Sequence, residues 1–180
     1  LRKEDRASYT LVGAQPASRF SEWADALLAG EAALRTGAGR VLLATRAAHA
    51  GPIAAACPEL MCHGVRAAKE LAPLLACATV VAIGPGLGRS PWSRQLLAQV
   101  LETSLPLVVD ADALNLLAGE PVRADQQVLT PHPGEAGRLL GTTAAAVQAD
   151  RFTAAQEISE RYGGTVVLKG AGTVITAAGQ

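Results

Sequence analysis

Four short stretches of the sequence carry residue types suited to holding or transferring charge. They are Gly84-Pro85-Gly86-Leu87-Gly88, Asp110-Ala111-Asp112, Thr130 to Gly141 ("TPHPGEAGRLLG"), and Lys169-Gly170-Ala171-Gly172-Thr173. In the first, glycines let the backbone approach something that a Cβ would hold away. Ser90 and Pro91, just beyond, suit the cap and first turn of a helix. Free N–H groups therefore collect where an anion can sit, although a plain strand-to-helix turn would use the same residues. In the second, two carboxylates at a strand end repel unless a cation, hydrogen-bond donors or water screens them. The competing reading makes Asp112 a helix cap and Asp110 a turn residue.

In the third, Pro131 and Pro133 flank His132 and stiffen the loop, fixing where the imidazole points. Glu135 falls in the first turn of the following helix, where a carboxylate favours the dipole with or without a function. A helix start does not ordinarily require a histidine, which makes His132 the stronger candidate for contact with a ligand. In the fourth, a lysine closes a buried strand and two glycines follow, so charge and bare N–H groups can meet a phosphate. A simple hairpin between 165–169 and 173–177 is the alternative. Neither glycine stretch has the order of a P-loop or the spacing of a dinucleotide fingerprint.

The elements that must position these residues alternate along the chain. Strand patterns run over 8–13, 40–46, 79–84, 106–112, 128–132, 165–170 and 173–178. Helical patterns cover 21–39, 66–77, 113–119 and 149–164, with helix starts at Ser90 and before Glu135. Regular alternation of this kind predicts an α/β fold with a mainly parallel sheet covered on both faces. Ligands then bind outside the carboxyl ends of the strands, which is where the four stretches fall. The 180 residues suit a single domain, with no linker or repeat. His49 and His63 read as loop or packing residues, and Trp23 and Trp92 as helix-face packing.

Composition narrows the partners. Formal net charge is zero and aromatics are 3%, which disfavours a nucleic-acid surface. Hydrophobic residues make up 49% and charged ones 18%, and no apolar run reaches the length of a membrane span. Cys57, Cys62 and Cys77 fit no zinc spacing with the histidines and read as reduced thiols of a cytoplasmic protein.

Five segments in order, "GEAALRTGAG", "IGPGLG", "DADALNLLA", "TPHPGEAGRLLG" and "VVLKGAGTVI", closely resemble the ADP-dependent NAD(P)H-hydrate dehydratases, from Gly30 to about Ala178. The resemblance implies a ribokinase-like three-layer αβα sandwich and a hydro-lyase activity. ADP, or ATP in some members, with Mg²⁺ phosphorylates the hydroxyl of (6S)-NADHX or NADPHX. Elimination then restores NADH or NADPH and leaves AMP and phosphate. Carried over residue by residue, Gly84, Gly86, Gly88 and His132 contact the hydrated cofactor, while Lys169, Gly170, Ala171, Gly172 and Thr173 hold the nucleotide. Glu135 and Asp110 help organise Mg²⁺ indirectly.

The resemblance puts no catalytic residue inside the chain, because the family's base aspartate is expected beyond Gln180; residues 1–180 alone are then expected to be inactive and apolar at one sheet face. Where the family has a glycine-rich segment, residues 13–30 hold only Gly13 before Gly30. A homo-oligomer, cytoplasmic and in some members fused to an amino-terminal NAD(P)HX epimerase domain, is also implied. A ribokinase-fold kinase of a small alcohol such as hydroxyethylthiazole, or a non-catalytic nucleotide-binding domain, are the alternatives.

Overall fold

The computed structural model describes residues 8–12 and 21–177, so the expectations for 13–20 and 178–180 lie outside the described residues. The chain divides into two compact units, Leu1–Pro106 and Leu107–Gln180. Among the described residues no helix is long and apolar enough to cross a membrane.

In the first unit four strands lie in the order β3-β2-β1-β4, all parallel: β1 Ser8–Val12, β2 Arg40–Thr45, β3 Met61–Gly64 and β4 Val80–Ile83. Helix α1 (Ser21–Arg35) and helix α2 (Ala47–Ala56) bury Ala26, Ile53 and Cys57 against Val41 and Leu43 of β2. Strand β2 reads as an unbroken apolar run because Val41 to Thr45 are all buried, as an interior parallel strand requires. Helix α4 (Pro91–Leu101) follows β4, with the Ser90 side chain accepting the Ser93 N–H as the sequence predicts.

The second unit orders its strands β5-β6-β7-β8. Strands β5 (Leu107–Val109), β6 (Gln127–Leu129) and β7 (Thr165–Leu168) are parallel, and β8 (Val174–Ala177) returns antiparallel to β7. Helices α5 (Ala111–Gly119), α6 (Pro133–Leu140), α7 (Ala144–Ala149) and α8 (Arg151–Tyr162) complete it. Its fully buried side chains include Leu114, Leu117, Leu129, Leu139, Ile158 and Tyr162. The Tyr162 hydroxyl, buried at 0% exposure, donates to the Leu139 carbonyl at 3.0 Å, and burial raises its pKa. Helices α6 and α7 approach closely because Gly137 has no side chain; a Cβ there would lie 2.9 Å from the Thr142 carbonyl oxygen.

The structure adds to the sequence expectations and changes some of them. Helix α2 falls where the sequence pattern assigned no element; Pro52 sits inside it and forgoes one hydrogen bond. His49 is a buried helix residue, the packing alternative of its loop-or-packing reading, and His63 lies on β3, a four-residue strand too short to show a pattern. The single helix expected over 66–77 splits into a 3₁₀ turn, Ala68–Leu71, and helix α3, Ala72–Leu75, because Pro73 cannot donate to the preceding turn. The 149–164 pattern begins at Arg151, and α7 before it is a separate short helix capped by Thr143. The thiols are free, with Cys57 buried and Cys77 exposed; burial, then the neighbouring Cys57, raises the pKa of Cys62 and quiets its thiolate.

Gly163-Gly164 forms the hinge between α8 and β7. Gly164 has a φ of +67°, and a Cβ would fall 2.2 Å from the Gln127 carbonyl oxygen. Gly164→Ala is expected to destabilise the protein by about 2–4 kcal/mol from backbone strain and overpacking, measured by urea unfolding. At the other end of α8, Asp150 accepts from the Thr153 N–H and hydroxyl, and those bonds lower its pKa. The folded carboxyl thus binds its proton less tightly than the unfolded one. Its contribution is full above the unfolded pKa and is lost as pH falls through the lower folded value. The thermal midpoint difference between the protein and Asp150→Ala should accordingly shrink on going from neutral pH to the acid end of the titration.

Candidate functional site

Strand register builds the site in the second unit. Val109 pairs with Leu129, and Leu129 with Val166, so β5, β6 and β7 end on one edge. The ladder continues past the strands: Thr130 N–H donates to the Val109 carbonyl at 3.1 Å, and Lys169 N–H to the Pro131 carbonyl at 2.8 Å. Three of the four predicted stretches are thereby brought together. Across that edge Lys169 Nζ lies 2.7 Å from Asp110 Oδ1, with the side chains 44% and 30% exposed. A pair so open to solvent contributes about 0.2–1 kcal/mol, so an incoming phosphate can compete for the ammonium.

Asp110 is the residue before α5 but makes no side-chain cap bond, and Ala111 after it has φ +49°, rare for a residue with a Cβ. The competing reading made Asp112 the cap, but Asp112 lies inside the first turn of α5, and Asp110, at the cap position, turns its carboxylate to Lys169 instead. Asn115, one turn into α5, accepts from Arg138 Nε of α6 and holds the two helices together.

His132 does serve the helix start, contrary to the expectation that a helix has no use for it. Its Nδ1 accepts the Gly134 N–H at 2.9 Å and the Glu135 N–H at 3.4 Å, and Glu135 Oε2 accepts the His132 N–H at 2.8 Å. The two form a reciprocal capping box. Because Nδ1 accepts, the network assigns the proton of the neutral ring to Nε2, 3.5 Å from Glu135 Oε1. The imidazole is half exposed while Glu135 is buried with both oxygens turned to His132. Gly134 leaves room for the ring, since a Cβ there would meet Cε1 at 2.8 Å and push the imidazole from its place.

The Lys169–Thr173 turn is exposed from Gly170 onward, with Gly170 at φ +149° and Gly172 at φ +72°. It joins antiparallel strands, so the hairpin reading of this stretch holds as geometry alongside its chemistry. Thr173 Oγ1 donates to the Gly170 carbonyl at 3.3 Å.

In the first unit, Gly84, Gly86 and Gly88 have φ of +134°, +64° and +69°, which explains why this loop is glycine at three places. Leu87 N–H bonds back to the Gly84 carbonyl at 3.0 Å, and Ser93 Oγ donates to the Leu87 carbonyl at 2.7 Å. Arg46, which drew no attention in the sequence, stands 3.9 Å over the buried Trp92 ring and donates to Ser90 Oγ at 3.3 Å. Burial lowers its pKa. It fastens the helix start that follows the glycine loop to the end of β2.

Among the described residues no group of three histidines, cysteines or acidic residues could hold a metal ion by itself. Glu135 is closed off by His132, whereas Asp110 remains partly exposed at the edge.

Residues 24–180 match the NAD(P)H-hydrate dehydratase family. The chain belongs to that family. It is similar to the bifunctional NAD(P)H-hydrate repair enzyme Nnr of Coxiella burnetii, 57% identical over 148 residues that make up 82% of this chain and 30% of that protein. The enzyme of the same name from Escherichia coli is 49% identical over 83% of this chain and 29% of its own length. The chain thus spans about a third or less of these curated relatives' length. Among solved structures, an ADP/ATP-dependent NAD(P)H-hydrate dehydratase from Bacillus subtilis co-crystallised with ATP/Mg²⁺ superposes with a TM-score of 0.79. It is 28% identical over 98% of this chain and 62% of that one. A ribokinase-like superfamily protein from Enterococcus faecalis gives 0.82 at 28% identity over 98% of this chain and 62% of its own. The ribokinase-like α/β fold expected from the sequence is the fold of this NAD(P)H-hydrate dehydratase family member.

The capping box separates two properties of His132 that a single substitution would confuse. His132→Ala should lose about 1 kcal/mol of stability with the cap, whereas His132→Asn, itself a good cap, should keep most of it. Guanidinium unfolding of the two variants checks this.

Proposed function

We propose that the protein dehydrates (6S)-NADHX and (6S)-NADPHX at the expense of ADP, returning NADH or NADPH with AMP and phosphate. The observation that carries this reading is the meeting of Lys169, Asp110 and the exposed glycine turn at the common edge of β5, β6 and β7 in a chain of this family. Lys169 and the N–H groups of Gly170 to Thr173 hold the phosphates of the nucleotide, and Asp110 keeps the ammonium in place until they arrive. His132 presents its exposed ring to the hydrated nicotinamide, held at a fixed angle by the capping box. In the first unit, the family resemblance assigns the bare backbone of Gly84, Gly86 and Gly88 to binding of the hydrated cofactor.

The terminal phosphoryl of ADP passes to the ring hydroxyl, whose oxygen then leaves as phosphate when the ring C–O bond breaks. The nitrogen lone pair drives that step, and loss of the adjacent proton restores the double bond. Positioning and charge stabilisation supply most of the catalysis in such a transfer. Mg²⁺, when bound with the nucleotide, would neutralise charge on the transferring group; Asp110 is the residue that would hold it, through water. Glu135 acts through His132. The proton acceptor for the hydroxyl is assigned to the family's aspartate outside residues 1–180, and a homo-oligomeric, cytoplasmic protein with an epimerase domain completes the reading.

The test is recovery of reduced-cofactor absorbance from S-NADHX by the full-length protein with ADP and Mg²⁺. A stable phosphorylated alcohol in place of AMP, phosphate and NADH would instead mark a kinase. Lys169→Ala should raise the apparent constant for ADP by roughly ten- to a hundredfold, the loss of a charge-assisted contact, while His132→Asn raises that for the hydrate.

A further inference from the structure

Arg151 occupies the first turn of α8, where a cation opposes the helix dipole, so the helix itself does not account for it. Its guanidinium is spent elsewhere. Nη2 donates to the carbonyl oxygens of Leu168 at 2.9 Å, Lys169 at 3.3 Å and Gly172 at 3.2 Å, and Nη1 donates to Gln148 Oε1 at 2.6 Å. Gly170 passes directly over the planar group: a Cβ there would lie 2.9 Å from Nη1 and 3.0 Å from Nη2.

In a trans peptide the C=O and N–H point in opposite directions. The Leu168 carbonyl turned to Arg151 therefore sends the Lys169 N–H the other way, where it meets the Pro131 carbonyl at 2.8 Å. By the same rule, the Lys169 and Gly172 carbonyls held by Arg151 turn the N–H groups of Gly170 and Thr173 away from it. Thr173 Oγ1 holds the Gly170 carbonyl and so directs the Ala171 N–H. One guanidinium nitrogen thus gathers the Leu168, Lys169 and Gly172 oxygens on its side and turns the N–H groups of Gly170 and Thr173 to the other, as an anion nest requires. A lysine could bring an ammonium to these oxygens but would lack the rigid planar group and the Nη1 bond to Gln148 that hold Nη2 in place.

We infer that Arg151 is the positioning residue that converts the Lys169–Thr173 hairpin turn into a cradle for a nucleotide's phosphates, without touching the nucleotide itself. This rests on the nucleotide reading of that turn.

The experiment is calorimetric titration of ADP into the full-length protein and its Arg151→Ala, Arg151→Lys, Gly170→Ala and Lys169→Ala variants, with steady-state constants for S-NADHX alongside. Arg151→Ala and Gly170→Ala should each weaken ADP by about tenfold or more while leaving the constant for S-NADHX within about twofold. Arg151→Lys should recover only part of the loss. Full ADP affinity in Arg151→Lys would overturn the inference, because charge alone would then suffice. If Lys169→Ala weakens ADP and Arg151→Ala does not, the inference fails and the nucleotide reading stands; if neither does, the nucleotide reading itself falls. Failure of both Arg151 variants to fold would make the residue structural and overturn the inference equally.

Discussion

Backbone hydrogen bonding at the ends of three parallel strands governs the second unit. A backbone N–H left without a partner is costly, so the ladders of β6 and β7 each run one residue past their regular geometry. Thr130 is drawn to Val109 and Lys169 to Pro131 in this way. Asp110, His132 and Lys169 are neighbours along one edge for that reason, although up to 59 residues separate them in sequence. The ionic contact between Lys169 and Asp110 is a consequence of this register and too exposed to have imposed it.

Loops then hold what the strands deliver, and they do so with side chains already committed to the backbone. His132 uses one ring nitrogen to begin α6, Thr173 uses its hydroxyl on Gly170, and Arg151 takes three carbonyl oxygens. Each of these bonds removes a rotational freedom from a group close to the edge, so less entropy is lost when a ligand binds. Glycine serves the same end by subtraction. At Gly134 and Gly170 a Cβ would collide with the imidazole or guanidinium that gives the loop its shape.

The first unit solves a similar problem with different means. Its glycine loop after β4 takes three positive φ angles, and a hydroxyl from α4 grips the Leu87 carbonyl. Arg46 on the buried Trp92 ring fixes where that helix begins. A cation on an indole face is worth about 0.5–2 kcal/mol when desolvated, enough to hold a helix start but small beside the burial of Trp92 itself.

Period and punctuation in the sequence determined the α/β class, most strands, and the four strand-end stretches. Apolar runs such as Val41 to Ala44 bury both faces whatever surrounds them, and glycines at 84, 86, 88, 170 and 172 mark backbone that other residues rarely adopt. Family membership was legible too, because five ordered segments are local strings. What tertiary structure alone decided was how side chains at those places are used. Helix α2 exists despite Gly51 and Pro52 because packing of Ile53 in the core outweighs local propensity. That His132 caps α6, that Asp110 faces Lys169, and that Arg151 and Arg46 fasten distant loops depend on direction and distance. An arginine at a helix start, against the dipole, was the one available signal for Arg151, and Arg46 offered none because α2 was not legible. Contacts between residues 17 to 59 positions apart leave no trace in local pattern, since period reports only which face is buried and not what it meets.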